Sequence, residues 1–196
     1  MQAEAIDRVI LETAQRLFME EGYADVTMDG VASVAGVSKV TLYARHGSKE
    51  QLFRHLVEVT IARWSSEANE VDDIGGPAFV KLRARVRHVA LSIANPEVVA
   101  FKRLLDSTRD RFPELSRAMY EVGFVPGNEA LAALIEATAQ ERGMEVRDAP
   151  SVAALLVCAL AGWHDTMGMS GEVTTRALIG FADRVLDVTL GGIGTW

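Results

Sequence analysis

Cysteine occurs once, at Cys158. A single thiol excludes an internal disulfide and a Cys₄ or Cys₂His₂ zinc centre. Basic residues are outnumbered: 20 Lys and Arg stand against 27 Asp and Glu, a formal net charge of −7 at pH 7. That excludes a uniformly basic, histone-like binder. It leaves room for a local basic face, since charges farther apart than about 8–10 Å are largely screened at physiological salt. Long apolar runs are also lacking. The longest, Val152 to Trp163, covers twelve residues, and a membrane-spanning helix needs about 20. It reads instead as a helix hidden from water on nearly all sides, in a core or a subunit interface. Met1 to Asp7 lack the basic start and apolar stretch of an export signal. The expectation is a cytoplasmic protein with no membrane partner.

Chemistry-bearing motifs are missing too. There is no clustered metal-ligand set, no Gly-rich phosphate loop and no nucleophile elbow. Neither a metal nor a cofactor is expected. A small helical enzyme or a pure protein-interaction module stays open only as a reading from another class. No stretch alternates with period 2, and no internal repeat or low-complexity segment occurs.

What is present is ordinary globular material. The 196 residues are 49% hydrophobic and 24% charged, enough to bury a core without disulfides or metals. Ile6, Val9, Ile10, Thr13, Ala14, Leu17 and Phe18 follow one helix face, and Gly22 stands at its C-cap. Thr27 is a candidate N-cap for a very short helix with Met28, Val31, Ala32 and Ala35 on one face. Gly36 interrupts. Ser38 caps a third short helix through Leu42 and Tyr43. Gly47-Ser48 stops it and opens a fourth, with Leu52, Phe53, Leu56, Val57 and Ile61 as its stripe. A break follows at 72–77, then helical patterns at about 78–94, 97–110, 114–142, 150–168 and 173–190. Pro126-Gly127 should kink or split the third of these. The fold class is all-α, with about nine helices.

The spacing Ala32, Gly36, Leu42 is what a helix-turn-helix requires. Ala32 is the small residue at a steep helix crossing, Gly36 tolerates positive φ in the turn, and Leu42 anchors the second helix. Charge agrees. Residues 1–24 carry Arg8 and Arg16 against Glu4, Asp7, Glu12, Glu20 and Glu21, a net of −3. Residues 38–55 carry Lys39, Arg45, Lys49 and Arg54 against Glu50, a net of +3, with His46 and His55 besides. Positive charge therefore gathers where phosphates would be met.

The ordered set Gly22-Tyr23, Thr27-Met28, Val31-Ala32, Ala35 to Lys39, Thr41 to Tyr43, Ser48 to Glu50 and Leu52-Phe53 resembles the N-terminal domain of TetR/AcrR-family transcriptional regulators. Arg111 to Leu115, followed by Met119-Tyr120-Glu121, resembles more loosely the C-terminal domain of the AefR-like subset. The resemblance implies a DNA-binding domain over 1–49, a helical ligand-binding and dimerisation domain over 50–190, and a tail at 191–196 expected to fray. It implies a homodimer on a palindromic double-stranded operator, most often a repressor, with a small-molecule effector. An activator or a ligand-independent regulator stays open.

Residue by residue, the resemblance implies that Thr27 caps its helix and touches a phosphate. Ser38, Lys39, Val40 and Thr41 would face the major groove, with Lys39 and Thr41 reading bases. Tyr43 and Lys49 would grip phosphates. Arg45-His46 stand where the family has Tyr or His and then Phe. They are counted with the DNA-binding residues, Arg45 as an added phosphate contact and His46 as a polar plug under the helix. Gly30 sits inside the first helix of the motif, where it costs about 1 kcal/mol relative to Ala.

The two final helices are apolar over broad surfaces. Val152, Leu155, Leu156, Ala159 and Leu160, with Leu178, Phe181, Val185 and Leu186, read either as a monomer's core or as the dimer interface that the resemblance implies. Cys158 in the same stretch reads as buried and structural. Pocket candidates are Trp64, Phe101, Leu105, Phe112, Tyr120, Phe124, Trp163, His164 and Met167, mainly apolar and aromatic as small-molecule pockets are. They suggest a largely apolar ligand, although each alone could be ordinary core.

Overall fold

A computed structural model describes residues 2–70, 75–171 and 173–191. Among these there is no strand, and the fold is all-α. The helices are α1 Gln2–Asp25, α2 Met28–Ala35, α3 Lys39–His46, α4 Lys49–Glu70, α5 Ala78–Ile93, α6 Pro96–Thr108, α7 Pro113–Ala118, α8 Val125–Glu141, α9 Ala149–Gly168 and α10 Thr175–Gly191. A π-helical stretch, Met119–Phe124, lies between α7 and α8. The bend expected at Pro126-Gly127 takes this form. Pro126 has no N–H for the carbonyl four residues back, and the helix widens just before it.

The chain forms two compact units. One comprises residues 1–64 with 100–120, the other 65–99 with 121–196. This division differs from the expected one at residue 49, because a later segment packs with the N-terminal helices. The tail expected to fray, 191–196, lies outside the described residues from 192 onward.

In the first unit, Ile10, Ala14 and Phe18 of α1 close on Val31 and Ala32 of α2, Leu42 of α3, and Leu52, Phe53, Leu56 and Val57 of α4. The helix pattern of α1 breaks at Gly22, whose φ of 83° turns the chain out of the helix as its C-cap position predicts. Phe101, Leu104, Leu105, Phe112 and Leu115, from α6, α7 and the turn between them, complete the same core. Phe112 is 2% exposed, with its ring centroid 5.0 Å from that of Tyr23 and 5.4 Å from that of Phe53.

In the second unit α5 packs on α8, α9 and α10, and α9 packs on α8 and α10. Leu82 and Val86, Leu131 and Ile135, Leu156 and Leu160, and Leu178 and Leu186 meet at its centre. Arg87 of α5 holds Asp183 of α10 through two hydrogen bonds, 2.8 and 2.7 Å. Arg83 donates to Asp187 one turn away, at 3.1 Å.

This core corrects part of the expected interface. Val152, Leu156, Leu160, Leu178 and Leu186 are buried by helices of their own chain. On each helix they fall on one face, which α5 and α8 cover for α9 and which α5 and α9 cover for α10. Leu155, 54% exposed, points elsewhere, and Ala159, Phe181 and Val185 are half-buried. Cys158 is exposed beside them, not buried as expected. Consecutive helical positions differ by about 100°, so a helix apolar all round hides one side and presents another.

The caps place the N-terminal helices. Thr27 Oγ1 accepts from the N–H of Gly30 at 3.0 Å, and a Cβ on Gly30 would stand 3.2 Å from that oxygen. Gly30 thus keeps the cap uncrowded, which offsets its cost inside the helix. Thr27→Ala is expected to lower unfolding stability by about 1 kcal/mol, whereas Thr27→Ser stays near the wild type. Urea denaturation checks this, and equal midpoints for wild type and Thr27→Ala would refute the cap.

Candidate nucleic-acid interface

The arrangement of α2 and α3 follows from local chemistry. α2 ends at Ala35, and Gly36 takes φ 68°, ψ 27°. Its N–H donates to the Ser33 carbonyl at 3.4 Å, and the N–H of Val37 donates to the Ala32 carbonyl at 3.1 Å. This six-to-one and five-to-two pair is a Schellman turn, and only a residue at ease with positive φ completes it without strain. Ser38 then caps α3, its Oγ accepting from the Thr41 N–H at 3.0 Å. Leu42 is 0% exposed and fixes α3 against α1 and α2.

With Leu42 inward, the opposite side of α3 faces solvent. It presents Lys39, Val40, Tyr43 and Ala44. Val40 is 80% exposed, a large apolar side chain left in solvent. Thr27 and Ser38 are exposed and Thr41 half-buried. The hydroxyls of Ser38 and Thr41 lie 2.8 Å apart. Lys39 pairs with Asp29 of α2 across the turn. Six of the nine expected DNA-binding residues, Thr27, Ser38, Lys39, Val40, Thr41 and Tyr43, thus lie at the start of α2 and along α3.

The other three sit differently. Lys49 donates from Nζ to the Ala24 carbonyl at 2.9 Å and stands 4.6 Å from the Tyr23 ring centroid. Burial pushes its ammonium below the usual lysine range, and the nearby charge of Arg111 adds to that, with Asp25 opposing. Two of its three N–H donors remain for an outside acceptor. Arg45 is half-buried and donates to Asp7 of α1 at 2.6 Å. His46 is 5% exposed, so it is a plug and not a surface contact, which corrects its place among DNA-binding residues. Its Nε2 lies 3.5 Å from Asp7 Oδ1, and its ring centroid is 5.5 Å from that of His55. Burial drives its pKa below the usual imidazole value. The charges of His55 and Arg45 push the same way, and Asp7 opposes them. Asp7, which holds this corner, escaped the sequence reading because it lies 38 residues before Arg45 and no spacing links the two.

The pocket candidates divide between the units. Phe101, Leu105 and Phe112 are buried in the first unit's core, and Trp64 meets Phe101 edge-on with ring centroids 5.0 Å apart. These pack as core. Tyr120, in the same unit, is exposed. Phe124, Trp163, His164 and Met167 belong to the second unit. There Trp163 stacks on Phe181 at 4.6 Å, and Met167 is exposed. Among the described residues no cluster of His, Cys, Asp and Glu could hold a metal ion, and no helix is long and apolar enough to cross a membrane.

Comparison with known proteins agrees with this geometry. The pattern of bacterial regulatory proteins of the tetR family matches residues 10–56. That of the AefR-like transcriptional repressor C-terminal domain matches residues 80–188. The HTH-type transcriptional regulator YhgD of Bacillus subtilis is 38% identical over 68 residues, 34% of this chain and 36% of that protein. The match thus spans only about a third of that relative's length. A TetR-family transcriptional regulator of Mesorhizobium loti superposes with a TM-score of 0.79 at 26% identity, covering 97% of this chain and 98% of its own. The flavonoid-responsive regulator FrrA superposes with a TM-score of 0.71 at 27% identity, covering 96% and 97%.

The His46 plug carries a pH dependence. Its folded pKa lies below 6.5, so between that depressed value and about 6.5 the unfolded chain binds more protons. The stability of the first unit is full above this window and is lost as pH falls through it. In His46→Phe, thermal midpoints at pH 5.5 and 7.5 should draw closer together than in the wild type. An unchanged gap would show that the plug does not titrate in this range.

Proposed function

Because the chain belongs to the TetR family of bacterial regulatory proteins and carries an AefR-like C-terminal domain, we propose that it is a homodimeric repressor of transcription. In this reading it binds a palindromic operator and leaves it when a small, largely apolar ligand binds. The family is one of DNA-binding transcriptional regulators and not of enzymes. DNA reading falls to residues 1–49, and effector binding and pairing fall to 50–190. The protein works in the cytoplasm, where its operator is.

The observation that carries the reading is the outward face of α3. Val40 and Tyr43 stand exposed with Lys39 on a helix fixed from behind by Leu42. A helix of this kind fits the major groove, where Lys reads guanine acceptors and an apolar side chain meets the thymine methyl. Ser38 and Thr41 add hydroxyls at its start. Tyr43 and Lys49 grip phosphates, with Thr27 at the start of α2.

Pairing is supported by the surface of α9 and α10. Leu155 and Val188 are exposed apolar residues in described helices whose other faces are already buried. A two-fold dimer places two copies of α3 on half-sites one helical turn or a multiple apart. The responsiveness of FrrA to flavonoids supports an aromatic effector, and Trp163, stacked on Phe181, with His164 and Met167 offers it a surface. Release requires the effector to favour a state whose two α3 helices no longer match successive major grooves.

Two measurements test the proposal. Selection from random duplexes at about 150 mM salt should return a palindrome, and Lys39→Ala and Thr41→Ala should each change the preferred bases as well as the affinity. Recovery of no enriched sequence from protein freed of ligand by unfolding and refolding would overturn the DNA reading. Sedimentation should give about twice the chain's 21.3 kDa, and Leu155→Asp should shift it to the single-chain value. A single-chain mass for the wild type at micromolar concentration would overturn the dimer.

A further inference from the structure

We propose that Arg111, from the turn between α6 and α7, forms with Lys49 a binding site for a DNA backbone phosphate. The inference rests on the DNA-binding reading above and extends it to a residue far outside the helix-turn-helix.

Phe112 explains how Arg111 reaches this place. Its ring is buried against Tyr23 and Phe53, so residue 111 is held on the N-terminal helices. The guanidinium stands over that cluster, its Cζ 5.1 Å from the Tyr23 centroid and 5.4 Å from that of Phe112. Lys49 Nζ stands 4.6 Å from the same Tyr23 ring. Two cations that are 62 positions apart in sequence therefore share one aromatic ring.

Such a pair is unfavourable unless something negative joins it. Glu50 and Glu114 both pair with Arg54, and Asp25, whose charge acts on Lys49, comes within ion-pair distance of neither cation among the described residues. Among the described residues Arg111 makes no ion pair, and its side chain is exposed. With no ion pair on it, the guanidinium fork is available to take two oxygens of one phosphate. The rings have already restricted its rotamers, so little side-chain entropy remains to be lost on binding.

The position suits duplex DNA. Lys49 opens α4, and its Nζ is bonded to Ala24, three residues before the cap of α2 at Thr27. In the proposed reading the starts of α2 and α4 both face the sugar-phosphate backbone. Arg111 thus adds a contact at the edge of each half-site, independent of base sequence.

Arg111→Gln is the informative variant, because a planar amide can still lie on Tyr23 but carries no charge. Binding of a selected operator duplex is measured across salt concentration, together with thermal stability. Wild-type affinity should fall steeply with salt. In Arg111→Gln, affinity should drop about tenfold per half-site at moderate salt, and the salt slope should shrink by about one per half-site. Thermal stability should change little. Duplexes in which single phosphates are replaced by uncharged methylphosphonates locate the contact. One position that weakens the wild type should be silent in both Arg111→Gln and Lys49→Ala. A wild-type slope in Arg111→Gln overturns the proposal, as does weaker binding with an unchanged slope, since that would mark Arg111 as packing only. If the wild type bound no duplex, the DNA-binding reading itself would fail first.

Discussion

The burial of Phe112 between Tyr23 and Phe53 is the contact on which the first unit turns. The three rings come from positions 23, 53 and 112, so none of them is a neighbour of another along the chain. Each aromatic pair adds about 0.5–1.5 kcal/mol beyond the area it hides. The set fixes the end of α1, the start of α4 and the turn after α6 at one point. Lys49, Arg54 and Arg111 then lie on its rim. Apolar burial comes first here, and the placement of charge follows from it. A helix-turn-helix cut out at residue 49 would lack both Phe53 and Phe112, two of these three rings.

The parts of the motif that could be read directly from sequence are those decided within a few residues. Thr27 and Ser38 cap because their oxygens reach the N–H three positions on. Gly36 marks the turn because its positive φ completes two hydrogen bonds to the preceding helix. Leu42 and Ala32 follow from a 3.6-residue period. The parts that could not be read depend on pairs far apart. Nothing near Arg45 announces Asp7, and nothing near Tyr23 announces Phe112. Large apolar side chains look alike in sequence whether they fill a core or line a cavity, which is why Phe101, Leu105 and Phe112 read as pocket candidates although they are core. In α9 the difficulty is different. With almost no polar residue between Val152 and Trp163, periodicity cannot say which side is covered, and Leu156 and Leu155 exchange roles with a rotation of about 100°.

The net charge of −7 bears on the binding face through its local pairings. Part of the positive charge of α3 is already met within the chain, Lys39 by Asp29 and Arg45 by Asp7. These two pairs are not equivalent. Lys39 and Asp29 are both largely exposed, and such a pair contributes roughly 0–1 kcal/mol. Lys39 can therefore leave Asp29 for a base at small cost. Arg45 is more enclosed, and next to it His46 sits buried with its charged form disfavoured. Withdrawing Arg45 would leave Asp7 facing a neutral ring in a poorly solvated corner. Arg45 is thus better placed to orient the end of α3 than to reach a phosphate.

That division leaves the outer face of α3 short of firmly held positive charge. Lys39 is held only by an exposed pair with Asp29, Val40 and Tyr43 are uncharged, and Arg45 is committed inward. Affinity for a polyanion needs cations that are already in position, since ordering a long side chain costs about 1.5–2 kcal/mol. Those cations lie on the aromatic rim, not on α3. Lys49 and Arg111 are constrained by the Tyr23 ring before any DNA arrives. Recognition and attachment are then separated in space. In the proposed reading α3 distinguishes base pairs with Lys39, Val40 and Thr41, while Lys49 and Arg111 on the ring cluster supply the electrostatic grip.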